Sequence, residues 1–404
     1  MRVMYSHYLS SIDQPAGHMI SAIAEELRGF GHEVAIHASA GETTRGAGIA
    51  PAPAKRKSFS RLRGRLWFAK AIARDWARTK HDEAAIRRFR PDVLLVRQDP
   101  YCTSMTRAGV RVGVPIVSYA DAPAACEARQ RNGERRWHPP CLVESIEARG
   151  LARSEAVITV SGPAAKVLGE YKLDLPIHAI SNGFPPANYR LLSNLERCEK
   201  RRRLGLMEAT VVAFQGTFQS FHGINHLQNL MLSTAHRTDI QWLLIGDGPD
   251  RKGLEEAVRG RLPSLFLGRQ PSARVGELLG LADIAVAPYS HVNGPFYGCP
   301  LKVLEYAAAG CAIIASDQGD IPQLLDHGKA GIVLPSENHT AWTDALSMLV
   351  DNPSQRKSLG RAAREWAHNH FTWKHCAERV ESVIEQAATD YSRTKQADMH
   401  AVVA

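Results

Sequence analysis

The stretch Asn293-Gly294-Pro295-Phe296-Tyr297-Gly298-Cys299-Pro300-Leu301-Lys302-Val303-Leu304-Glu305-Tyr306-Ala307-Ala308-Ala309-Gly310 decides how this chain folds. Before it lies Asp283-Ile284-Ala285-Val286-Ala287-Pro288, an apolar run of strand length, and after it Cys311 to Ala315 is a second. Between them a Gly/Pro-rich loop runs into a helix, with Pro300 placed for the first turn and Gly310 for the C-cap. This spells a βαβ unit whose helix N-terminus favours an anion. Lys302 and Glu305 share one face of the first turns. A cation and a carboxylate side by side suit a ligand with one phosphate end and one hydroxyl-rich end.

Working outward, the 404 residues predict two domains of about 200 residues each. The hydrophobic fraction of 44% and charged fraction of 23% are globular values. Seven Cys without a C-x-x-C pair argue against a disulfide framework or a zinc site and fit core residues in a reducing cytosol. No apolar run approaches the ~20 residues of a membrane span, and the N-terminus does not read as a signal peptide. A cytoplasmic protein is expected, with a net charge of +9 that favours anionic partners.

Toward the N-terminus, Val3–Ser6, Glu33–His37, Asp92–Val96, Val114–Ser118, Ala156–Val160 and Ile177–Ser181 read as strands. The first helix, from Gly17-His18 through Leu27, lacks a G-x-G-x-x-G opening, so a dinucleotide fingerprint is absent. Residues 55–90 place Lys55, Arg61, Lys70, Arg74 and other cations among Leu62, Trp67 and Trp76, the pattern of one or two basic amphipathic helices. Such a segment suits an anionic membrane surface; the alternative is a solvated face. No nucleic-acid motif accompanies the charge. Residues 185–203, from Pro185-Pro186 to a dense run of charges, read as an exposed linker, and residues 389–404 as a disordered tail.

The second half opens with Thr210 to Phe214 and then Gln215-Gly216-Thr217-Phe218-Gln219-Ser220-Phe221-His222-Gly223, a strand and a loop leading into a helix from Ile224. Gly216 lets the backbone approach a ligand, and the following N–H groups can cradle an anion. Gln241 to Gly246 is a strand ending in the turn Asp247-Gly248-Pro249, and Leu265 to Leu267 leads to Gly268-Arg269.

The block from Pro300 to Gly310 resembles the donor-site signature of family 4 glycosyltransferases, in the branch written Pro-Leu-Lys-x-x-Glu-Tyr-x-Ala-x-Gly. The resemblance implies a GT-B architecture: two Rossmann-like, doubly wound α/β domains facing across a cleft, at 1–184 and 204–370, with a helix at 371–388 crossing back to the first. It implies transfer of a sugar from a nucleotide-sugar donor to a glycan or lipid-linked acceptor, with retention of configuration. No metal or other cofactor is expected, and no Asp-x-Asp motif is present. Glu305 would accept the ribose hydroxyls, and Lys302, with His222 second, would meet the diphosphate. Gly216, Thr217, Gly246, Arg269, Gly298, Cys299, Pro300 and Leu301 would complete the donor site. Gly17 and His18 match the opening of the family's acceptor-side domain, and Asp121 stands in a loop where the family often has His or Asn. Two departures stand out. Tyr297 occupies the place of an earlier Glu, and Thr217 and His222 stand where an Arg and a Lys are common. A nucleotide-sugar epimerase of the same fold and a non-catalytic nucleotide- or glycan-binding subunit remain open as alternatives.

Overall fold

The computed structural model describes residues 1–9, 15–39, 61–99, 101–130, 140–206, 209–290 and 295–403. Asn293 and Gly294, residues 55–60 of the basic segment and most of the loop after the first strand lie outside the described residues. The chain divides into two compact units. One comprises Met1–Ser181 with Trp373–Ala404, and the other Asn182–Thr372.

In the first unit, β1 (Arg2–His7), β2 (Glu33–Ala38), β3 (Val93–Arg97), β4 (Ile116–Ala120), β5 (Ala156–Thr159) and β6 (Ile177–Ala179) form one parallel sheet in the order β2-β1-β3-β4-β5-β6. β3 and β4 are buried throughout, as continuous apolar strands of a sheet covered on both faces must be. The chain leaves β1 to one side for β2 and returns to the other for β3. A crevice therefore opens at the C-terminal ends of β1 and β3. Helix Pro15–Gly29 buries Ile20, Ile23, Ala24 and Leu27, the residues whose 3.6-period spacing announced it.

The basic segment forms one helix, Arg61–Phe89, whose buried stripe is largely polar: Asp75, Thr79 and Asp82, then Ala85 and Ile86. Asp75 accepts from the Thr103 and Ser104 N–H groups at 3.0 and 3.1 Å, so it caps helix Ser104–Val112, whose own N-cap residue, Thr103, makes no side-chain capping bond. Arg107 closes the network, donating to the Asp75 carboxylate at 2.8 Å and to Thr79 at 3.0 Å. Its guanidinium lies 4.6 Å from the ring of Trp76, which is otherwise exposed. Lys70, Arg74, Lys80, Arg87 and Arg88 face solvent.

In the second unit, β7 (Thr210–Gly216), β8 (Ile240–Gly246), β9 (Ser264–Phe266), β10 (Ile284–Ala287), β11 (Ala312–Ser316) and β12 (Ile332–Leu334) run parallel in the order β12-β11-β10-β7-β8-β9. The pleat sends Val211, Ala213, Leu243 and Ile313 to one core and Val212, Phe214, Leu244 and Ile314 to the other. Here the reversal of strand order, and hence the crevice, falls between β7 and β10.

Two expectations need correction. Residues 185–203 are not a free linker: they form a 3-10 turn, Pro186–Tyr189, and helix Asn194–Arg203, started by a Ser193/Glu196 capping box. Arg197 and Arg201 both pair with Asp283, at 3.0 and 2.6 Å, and Lys200 pairs with Glu277. The charges that suggested solvation dock this helix on its own unit. Although burial works against it, Asp283 is held below the usual carboxylate range by Arg201 and Arg197. Nor is the end of the chain an unstructured tail, because helix Trp373–Val403 continues through it. Lys395 donates to the Gly113 carbonyl at 2.9 Å, and Gln386 to Asp390 one turn on at 2.7 Å. Such polar contacts hold a helix that shows little apolar periodicity there.

The Asp75 network yields a stability prediction. Asp75→Ala strands a buried guanidinium and uncaps a helix, which costs about 3–5 kcal/mol. Urea unfolding followed by far-UV circular dichroism measures it; a loss below ~1 kcal/mol would contradict the cap-and-pair account.

Candidate functional site

β7 ends at Gly216, and the loop 217–223 turns from it into helix Ile224–Ser233. The turn after β8 clamps this loop: Asp250 N–H donates to the Phe218 carbonyl at 3.0 Å. Gly246 has φ +121°, and a Cβ there would lie 1.9 Å from the Gly216 carbonyl oxygen, so no other residue fits.

On the other side of the crevice, helix Leu301–Ala309 starts from Pro300 without a side-chain cap and ends on Gly310 in the left-handed region. Tyr306, fully buried, ties this helix to β7, its hydroxyl accepting the Gln215 N–H at 2.8 Å. That tie brings Lys302 over the phosphate-loop candidate. A Cβ on Gly216 would sit 3.0 Å from Lys302 Nζ and 3.2 Å from His222 Nδ1. Lys302 Nζ lies 4.5 Å from the ring centre of Phe214 and 4.7 Å from that of Tyr289. It is buried and has no hydrogen-bond partner among the described residues. Tyr289 is itself fixed, its carbonyl accepting from the Ser316 and Ser336 hydroxyls, each at 2.8 Å.

Burial pulls the Lys302 ammonium down to about 7, against the opposing pull of Glu305. Burial pushes the Glu305 carboxyl up to about 7, with Tyr189 and Lys302 acting the other way. Burial and the Lys302 charge lower His222 to about 3. The imidazole is neutral at physiological pH and offers hydrogen bonds, one side of it 3.4 Å from the Thr217 hydroxyl.

The structure thus gathers Gly216, Thr217, His222 and Lys302 at one point, with Glu305 one helical turn beyond Lys302 and Gly246 behind the loop. Gly298 stands in open space, Cys299 is half-buried, and Leu301 is partly exposed at the helix start. Arg269 is exposed on the loop after β9, whose Gly268 carbonyl accepts from Gly246 N–H at 2.8 Å. Gly17, His18 and Asp121 belong to the first unit. Gly17 is buried in helix Pro15–Gly29, His18 is exposed, and Asp121 is paired with Arg97 at 2.9 Å. Tyr289, Phe214, Tyr306 and Tyr189 were not foreseen as parts of the site. Only the place of Tyr289, directly after the apolar run of β10, hinted at a position facing the crevice.

Two family models match: Glycosyltransferase Family 4 over residues 16–188, and Glycosyl transferases group 1 over residues 209–352. Among curated relatives, alpha-maltose-1-phosphate synthase of Mycolicibacterium smegmatis is 27% identical over 58% of this chain. The match spans 64% of that relative's length. Sucrose-phosphate synthase from Thermosynechococcus elongatus has a TM-score of 0.68 at 16% identity, covering 95% of this chain and 98% of that one. HepE of Anabaena, solved in complex with UDP, gives 0.67 at 14% identity, covering 96% and 100%. The fold is therefore GT-B, with its two Rossmann-like units. With one model matched on each unit and the signature helix seated at the strand-order reversal of the second, the chain belongs to the group 1, family 4 glycosyltransferases.

Proposed function

We propose that this protein transfers a sugar from a nucleotide-sugar donor to a glycan or lipid-linked acceptor, with retention of configuration and without a metal ion. The observation that carries this reading is Lys302: a buried amine, without a hydrogen-bond partner among the described residues, beside a glycine loop at the crevice of a doubly wound sheet. A buried cation is stable only when paired, and a diphosphate is the partner this geometry suits. UDP is the first nucleotide to test, since it occupies the Anabaena relative.

In the reaction, the bond from the sugar's anomeric carbon to the diphosphate oxygen breaks. The acceptor hydroxyl forms the new bond on the same face, and its proton passes to the departing phosphate. Lys302 and the loop N–H groups meet the charge that develops on the leaving group, which lowers the barrier by fixed electrostatics. Glu305 receives the ribose hydroxyls, and neutral His222 donates or accepts one hydrogen bond at the phosphate or sugar. The alternatives differ in an observable: a transferase releases nucleotide when an acceptor sugar is supplied, an epimerase returns it attached, and a binding subunit does neither.

We also propose that the exposed cations of helix Arg61–Phe89 attach the protein to anionic membrane. Among the described residues no helix is long and apolar enough to cross a membrane. Each Lys or Arg near such a surface contributes about 1 kcal/mol, so a handful gives reversible attachment.

Three outcomes are expected. Glu305→Ala should weaken nucleotide binding by roughly 30- to 150-fold, about 2–3 kcal/mol, while Lys302→Met should lower kcat for donor turnover by about 100-fold or more. Calorimetry and nucleotide-release kinetics measure these; a Lys302→Met enzyme changed only in KM would make the lysine a ground-state anchor. In co-sedimentation, phosphatidylglycerol vesicles should bind the protein at low salt and release it at high salt, with neutral vesicles ignored. Equal behaviour with both vesicle types would reduce the basic helix to solvated surface.

A further inference from the structure

Helix Arg61–Phe89 meets the sheet of its own unit at a polar cluster outside the reversal of strand order. His37 stands near the C-terminal end of edge strand β2, opposite Ser6 of β1, and His81 and Asp82 are consecutive residues of the helix. His37 Nε2 lies 3.0 Å and His81 Nδ1 3.6 Å from the same oxygen, Asp82 Oδ1. All three ligand atoms lie within 4.8 Å of one another, and the two imidazole rings stack with their centres 5.4 Å apart. The other carboxylate oxygen, Oδ2, accepts the Ser104 hydroxyl at 2.6 Å. Asp82 is fully buried, His37 is mostly buried and His81 is exposed.

Asp75, two turns back on the same buried stripe, is paired with Arg107. Asp82 has no such counter-ion: among the described residues its ion-pair partners are the two imidazoles alone. A buried carboxylate persists where a full cation compensates it. Imidazole binds metal in its neutral form, so the two rings are ligands through which a divalent cation can supply that charge. Two imidazole nitrogens and one carboxylate oxygen suit zinc and its first-row neighbours, whereas Mg2+ and Ca2+ take oxygen ligands. Zinc–ligand bonds of about 2.0–2.2 Å at tetrahedral angles put neighbouring ligand atoms roughly 3.3–3.6 Å apart. The separations at Asp82 Oδ1 lie close to that range. The Ser104 hydroxyl is then the outer partner that orients the carboxylate.

We propose that His37, His81 and Asp82 bind one divalent transition-metal cation of the zinc class. Three protein ligands leave a fourth tetrahedral position for water. The ion neutralises Asp82 and clips helix Arg61–Phe89 to edge strand β2, so its role is structural. It takes no part in the transfer reaction proposed above, and neither reading depends on the other.

The test takes the untagged full chain, stripped with a chelator, and titrates it with zinc chloride by calorimetry and with Co2+ by visible absorption. One equivalent of zinc should bind, and Co2+ should show the d–d bands of tetrahedral coordination. Mg2+ should not compete. Zinc at ~100 times its dissociation constant should raise the melting temperature of the metal-free protein by about 5 °C or more. His81→Ala, a change at an exposed side chain, should weaken zinc binding at least about tenfold and remove the Co2+ bands. His37→Gln should do the same, and His81→Ala carries the test alone if that variant melts early. His32, Glu381 and Glu385 form a comparable group with a single imidazole, so Glu381→Gln should leave both readouts unchanged. Failure to bind zinc, or binding as tight in His81→Ala as in the parent chain, overturns the inference. Loss of binding in Glu381→Gln alone places the ion in that other group and overturns it equally.

Discussion

Everything in the second unit's crevice depends on holding one ammonium group out of water. Lys302 Nζ sits between the rings of Phe214 and Tyr289, whose π faces attract a cation without competing for its N–H donors. That leaves the donors without a hydrogen-bond partner among the described residues. The surroundings are rigid for the same reason. Tyr306 binds the β7 backbone, two serine hydroxyls pin the Tyr289 carbonyl, and Gly246 lets the β7 and β8 ends meet closely. A preorganised charge of this kind costs nothing to reorient when negative charge develops opposite it.

The two units apply one topological rule to different sets of polar groups. Each sheet reverses its strand order once, and each crevice collects polar side chains from strand ends and following loops. In the second unit the collected groups are Lys302 and Glu305 beside a neutral histidine. In the first, a guanidinium is outnumbered by two carboxylates.

Much of this was legible in the residues. The alternation of apolar runs with Gly/Pro loops located eleven of the twelve strands among the described residues, and the Lys302–Glu305 spacing pointed to the candidate site. What was not legible has a common cause: it is decided by partners distant in sequence. The charges at 196–203 looked solvated because Asp283, their counter-ion, lies about eighty residues away. The short β12 and the aromatic walls around Lys302 likewise acquire meaning only once the sheet is assembled. The polar stripe of Asp75, Thr79 and Asp82 defeated an amphipathic reading because its partners are side chains and N–H groups of another helix rather than an apolar core. His222 illustrates the limit for electrostatics, since its neutrality follows from burial beside Lys302 and from no local pattern.

The central claim is that Lys302 awaits a diphosphate, and proton counting tests it most directly. With its ammonium pulled down to about 7, Lys302 is largely neutral near pH 8, where the phosphates of UDP and the Glu305 carboxyl are already ionised. An anion beside it raises its proton affinity, so binding must draw a proton from solvent. Calorimetry of UDP binding at about pH 8, repeated in buffers of different ionisation enthalpy, should give an uptake approaching one proton per nucleotide, and Lys302→Met should abolish it. Binding without proton uptake, or uptake that survives in Lys302→Met, would contradict the account.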